Sequence, residues 1–76
     1  MSPLCERRTR EWQSSLHAAW VCGTDGKRAS IAVAPNSDGS RTVEVCWEGD
    51  RSATGHFLLK RDALLWMRGL AAGVGR

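Results

Sequence analysis

The stretch 29–47, ASIAVAPNSDGSRTVEVCW, decides the fold. Ser30 to Ala34 and Thr42 to Trp47 alternate β-branched or aromatic residues with small or polar ones, the period of a half-buried strand. Between them lies Asp38-Gly39, a dipeptide favoured in hairpin loops because Gly accepts positive φ without steric cost and Asp tolerates it better than most residues. A five-residue loop, Asn36 to Ser40, sets Val33 against Val43, Ile31 against Val45 and Ala29 against Trp47. Every pair is apolar and lies on one face. Slipping either strand by one residue would turn its apolar set into solvent.

Working outward from this hairpin, Gly49-Asp50 and Asp25-Gly26 repeat the turn signal. A three-residue loop, Gly49 to Arg51, sets Trp47 against Ala53, Val45 against Gly55 and Val43 against Phe57. A two-residue loop at Asp25-Gly26 sets Cys22 against Ala29, Trp20 against Ile31 and Ala18 against Val33. Three hairpins then share one buried face. The other face carries His17, Arg28, Ser30, Thr42, Glu44, Cys46, Glu48, Thr54 and His56, as in an antiparallel sheet with one wet side. The first of these strands has a rival reading. Ser2-Pro3 has the form of an N-cap and first helical residue, and Trp12, Leu16, Ala19 and Trp20 have helical spacing. A strand from about Ser14 to Cys22 is preferred because its register works without adjustment.

From Arg61 to about Ala72 the period becomes helical. Ala63, Leu64, Trp66, Met67, Leu70 and Ala71 share one broad face at 100° per residue, with Arg61, Asp62, Arg68 and Gly69 opposite. Gly69 or Gly73 supplies a stop. The pattern therefore predicts an α+β fold: a four-stranded antiparallel β-meander with a C-terminal helix packed on one face. Residues 1–13 form a basic N-terminal segment, short helix or flexible, and residues 14–76 the sheet-and-helix domain.

Composition bounds the function. A chain of 76 residues has room for one modest core and buries only roughly 60% of its unfolded surface, so homodimer formation is open to it. The net charge of +3, from 11 Lys and Arg against 8 Asp and Glu, permits nucleic acid or an acidic protein as partner without demanding either. Three dispersed cysteines, Cys5, Cys22 and Cys46, with no signal-peptide pattern and no apolar run of spanning length, point to free thiols, a cytoplasmic setting (the host cytoplasm if phage-encoded) and no membrane partner. Cys5, His17, Cys22, Cys46 and His56 lack metal-site spacing. Cys46, between Glu44 and Glu48, lacks the electropositive niche a reactive thiolate needs, and no glycine-rich phosphate loop is present. The expectation is a binding protein, not an enzyme, with no cofactor and no metal.

Candidate binding residues follow from charge. Arg7, Arg8 and Arg10 fall within five positions of the N-terminal segment, and Lys60, Arg61 and Arg68 mark the start and outer face of the helix. Arginine forks suit phosphate and carboxylate alike. Trp12, beside the arginine run, is the aromatic left free once Trp20, Trp47 and Phe57 are turned inward. Leu65 breaks the helical pattern, projecting between Arg61 and Arg68 as an apolar contact point for a partner.

Ile31-Ala32-Val33 followed by Asn36, Gly39-Ser40 and Val43-Glu44-Val45, then Gly55 to Leu59 and Leu65-Trp66 with Gly69-Leu70, resembles the small phage anti-CRISPR proteins that inhibit type I surveillance complexes. The likeness covers about half of the chain and consists of turn and core positions. It implies a four-stranded sheet with helices at its C-terminal side and a stoichiometric inhibitor that docks on a Cas subunit and blocks target DNA recognition. It carries over no binding residue, and it has no counterpart for the run Arg7 to Arg10. Gly55 to Leu59 ahead of Trp66 and Leu70 is also similar to the last strand and helix of the single-stranded-DNA-binding coactivator fold. That likeness implies the alternative, a small single-stranded DNA- or RNA-binding or transcription-regulatory module. The sheet face here bears Glu44 and Glu48 where that fold is basic and aromatic.

Overall fold

The computed structural model describes residues 3–75, with side chains from residue 6 onward. The order of elements is α1 (Pro3–Thr24), β1 (Ala29–Pro35), β2 (Arg41–Trp47), β3 (Arg51–Phe57) and α2 (Lys60–Val74). The strands form one antiparallel sheet in the order β1-β2-β3, and the helices cover one face of it. The Ser2 cap and the Cys5 thiol lie outside what is described.

The β1–β2 hairpin has the expected register: Val33 pairs with Val43, Ile31 with Val45 and Ala29 with Trp47. Asn36 N–H donates to Ser40 O at 2.8 Å, closing the loop. The β2–β3 register differs from expectation by two residues, with Trp47 opposite Arg51, Val45 opposite Ala53 and Val43 opposite Gly55. Glu48 (φ 51°) and Gly49 (φ 80°) take the left-handed turn themselves, so the loop is Glu48 to Asp50. A shift of two preserves the alternation of faces, and the inward set is unchanged.

The expected first strand is a helix. Trp12, Leu16 and Trp20 recur every four residues and are all buried, with Ala19 packed beside them, and α1 runs unbroken through the anticipated boundary at residues 13 and 14. Residues 14–20 hold no β-branched side chain to favour a strand. The Asp25-Gly26 signal is real but serves a different purpose. Both residues have positive φ, 58° and 88°, and Gly26 N–H donates to Val21 O at 2.9 Å. That six-to-one bond is the helix-ending Schellman arrangement. Thr24 completes the corner, donating its hydroxyl to Trp20 O at 2.7 Å and accepting Lys27 N–H at 3.2 Å.

Helix α2 extends further than anticipated, passing through Gly69 and Gly73 to end at Gly75, whose N–H donates to Ala71 O at 2.8 Å. Ala63, Met67 and Ala71 are buried, and Leu64, Trp66 and Leu70 pack partly against the core. The core lies between the helices and the inner sheet face. Its largest fully buried side chains are Trp20, Leu16, Met67, Val43 and Val45, each large enough to contribute about 1.5–3 kcal/mol on burial. Trp20 and Trp47 meet at a ring-centroid distance of 5.4 Å.

Candidate functional site

The two helices run in the same direction. Arg7 and Glu11 of α1 lie beside Lys60 at the start of α2, Ala19 and Cys22 lie beside Leu64 and Arg68, and Gly23 lies against Ala71. Topology dictates this: α1 and β2 each run antiparallel to β1, and β2 and α2 each run antiparallel to β3. Both helix N-termini, with their positive dipole ends, therefore lie at one end of the molecule.

A surface groove follows the seam between them. Its upper part, a shallow cavity of about 380 Å³, is lined by Arg7, Arg10, Glu11, Ser14, Ser15 and Lys60. Its lower part, about 470 Å³, is lined by Ser15, Ala18, Ala19, Cys22, Gly23, Leu64 and Arg68. Ser15 lines both, so the two depressions adjoin. Arg7 to Cys22 spans about 22 Å along α1 at 1.5 Å per residue. The middle of the groove's α1 lining is Ser14, Ser15, Ala18 and Ala19, with Arg7, Arg10 and Lys60 toward one end and Arg68 toward the other.

Arg7, Arg8, Arg10, Lys60 and Arg68 have no carboxylate within ion-pairing distance among the described residues. Two cations at the opposite end differ. Lys27 and Arg51 both approach Glu48, at 3.4 and 3.6 Å. Arg61 lies 4.0 Å from Asp62 and is mostly exposed, a pairing that counts for little in water.

Of the residues singled out from sequence, Arg7, Arg10 and Lys60 thus line one depression and Arg68 the adjoining one, which numbers fifty positions apart gave no means of foreseeing. Arg8 is exposed on α1 and lines neither part. Leu65 is 64% exposed on the outer side of α2, as its phase indicated. Trp12 is corrected: at 6% exposure it belongs to the core, because residue 12 falls in phase with Leu16 and Trp20. Sequence reading missed Arg41, whose guanidinium lies 5.0 Å from the centre of the Trp12 ring and whose Nε donates to Thr9 Oγ1 at 3.2 Å. Stacked cations of this kind are held in place by the ring.

The exposed sheet face holds a polar chain. Asp38 accepts from the Ser40 hydroxyl at 2.6 Å and from its N–H at 3.0 Å. Asn36 donates to Ser40 Oγ and to Thr42 Oγ1, and Thr42 Oγ1 lies 2.9 Å from His56 Nδ1. The Ser40 hydroxyl, then its N–H, hold the Asp38 carboxyl below its ordinary value. This network ties the β1–β2 loop to β3 in the open, outside any of the cavities described above. No group of three His, Cys, Asp or Glu side chains suited to a metal occurs among the described residues, and no helix among them is long and apolar enough to cross a membrane. No family model, curated protein or solved structure matches this chain.

Proposed function

We propose that the chain is a non-catalytic binding module whose α1–α2 groove seats the phosphate backbone of a nucleic acid. The observation that carries this reading is the convergence of Arg7, Arg10 and Lys60, unpaired among the described residues, on one depression that adjoins the one lined by Arg68. Spaced charge-assisted donors along a groove suit a string of phosphates, and contacts of this kind position a protein on nucleic acid without reading its sequence. Burial of Trp12, Trp20 and Trp47 removes three aromatic platforms on which single-stranded bases would stack, so backbone contact is favoured over base stacking.

The test is binding of random-sequence duplex DNA and RNA, followed by fluorescence anisotropy as salt is raised. If four phosphates are neutralised, log K falls with log salt at a slope of roughly −3 to −4. Arg10→Ala or Lys60→Ala lowers that slope by about 1. A chain that binds neither duplex in low salt would sink the reading.

Leu65 supports a second reading. An exposed Leu between Arg61 and Arg68 fits an acidic protein or ribonucleoprotein surface, in line with a stoichiometric inhibitor acting on a Cas subunit of a type I complex. Co-purification with such a complex that is lost in Leu65→Glu, yet kept in Arg10→Ala, would favour this reading over the first.

A further inference from the structure

The two edges of the sheet are not equivalent. Asn36 N–H bonds to Ser40 O, and peptide groups alternate in direction along a strand. The groups of Thr42, Glu44 and Cys46 therefore face β1, while those of Arg41, Val43, Val45 and Trp47 face β3. Their partners on β3 are Phe57, Gly55, Ala53 and Arg51. Ser52, Thr54 and His56 are left with N–H and C=O groups directed away from the sheet.

The outer edge of β1 is blunted. Gln13 Nε2 donates to Ile31 O at 3.0 Å, and Pro35, also in the outward phase, has no N–H to offer. Such devices stop a strand from pairing with another chain. The β3 edge has neither device. No described side chain caps the outward groups of Ser52, Thr54 or His56, and the strand holds no Pro or Lys. Its helix-side shoulder is apolar: Phe57 and Trp66 meet at 5.3 Å between centroids, and Leu58, just past the strand, is 66% exposed.

We propose that this edge pairs with the same edge of a second copy of the chain, making a homodimer with one continuous six-stranded sheet. The strand itself is self-complementary in one antiparallel register. A two-fold axis at Thr54 sets Thr54 against Thr54 of the second copy, Ser52 against His56, Ala53 against Gly55 and Arg51 against Phe57. The outward peptide groups all fall in hydrogen-bonded pairs, two bonds to each. Inward residues meet inward residues. No like charges face each other, and each Arg51 meets an aromatic ring. Such an interface is isologous and closed, and the new sheet ends on a blunted β1 at both sides, so growth stops at two chains. Both helix layers lie on the same side.

Sedimentation equilibrium tests this, with amide hydrogen exchange on the wild type as the second measurement. The wild-type chain is expected at twice its 8.3 kDa mass, with the amides of Ser52, Thr54 and His56 protected in the dimer and exchanging freely on dilution. Thr54→Pro removes an N–H that has no partner within the chain and is tolerated at an edge. It is expected to keep the monomer fold by circular dichroism and to raise the dimer dissociation constant at least about tenfold. A wild-type chain that is monomeric at millimolar concentration overturns the proposal. A dimer with those three amides unprotected overturns it too, and so does protection of them only when an unrelated protein is added. None of these readouts uses nucleic acid, so the groove can fail while the edge stands, and the reverse.

Discussion

Gly23 of α1 and Ala71 of α2 are in backbone-level contact: a Cβ on Gly23 would lie 2.6 Å from the Ala71 methyl. A methyl group has no torsion by which to move away, so the helices themselves would have to part. Gly23→Ala gains up to about 1 kcal/mol of helix propensity, and overpacking at such a contact costs about 1–3 kcal/mol. Net destabilisation is expected in urea unfolding. Adding Ala71→Gly to Gly23→Ala restores part of the loss, and simple additivity of the two changes would show that the contact is not the cause.

The two tryptophans in ring contact, Trp20 and Trp47, differ in their polar ends. Trp20 Nε1 donates to Lys27 O at 2.8 Å, whereas Trp47 Nε1 is buried with no hydrogen-bond partner among the described residues. A buried, unsatisfied donor costs about 1–3 kcal/mol. Trp47→Phe removes that cost along with some apolar area, and Trp20→Phe loses area and a bond together. Unfolding midpoints are therefore expected to fall further for Trp20→Phe. Equal losses would refute the assignment.

Acid sensitivity has a local component in the β1–β2 loop. Hydrogen bonds from the Ser40 hydroxyl and then its N–H lower the Asp38 pKa in the folded chain from the ordinary 3.8. A depressed folded value means stabilisation that is present above 3.8 and lost as pH falls through the folded pKa. Asp38→Asn keeps an acceptor without the titration. Its thermal midpoint should fall less steeply below about pH 4 than that of the wild type, and parallel profiles would contradict the linkage.

Neighbouring leucine-sized positions on α2 should respond in opposite ways. Met67 is fully buried and Leu65 is 64% exposed. Met67→Ala is expected to cost about 2–5 kcal/mol, against within about 0.5 kcal/mol for Leu65→Ala. Chemical denaturation of the two variants measures both, and a large loss at Leu65 would show that the α2 face is misassigned.

Much of this was legible in the residues. Alternation at 29–47 yields the hairpin and its register, because a slip of one residue would expose Ile31, Val43 and Val45. The phase of Ala63, Met67 and Ala71 yields α2 and leaves Leu65 outside. Asp25-Gly26 misled because a hairpin loop and a helix C-cap both need positive φ, and a local signal cannot separate them. The spacing of Trp12, Leu16 and Trp20 carries the right answer, but Ser14 to Cys22 also fits a strand register, and periodicity alone does not choose between them. At Gly49 the two-residue error was silent, since faces repeat every second residue.

By itself the sequence determined what is greasy and what is charged along each element, because periodicity is a property of neighbours a few positions apart. Tertiary structure alone decided that α1 and α2 lie parallel, bringing Arg7 and Arg10 to Lys60, and that Gln13 and Pro35 close one sheet edge while Ser52, Thr54 and His56 leave the other open. Those relations join residues far apart in the chain. They exist only once the helices and strands have packed into a single order.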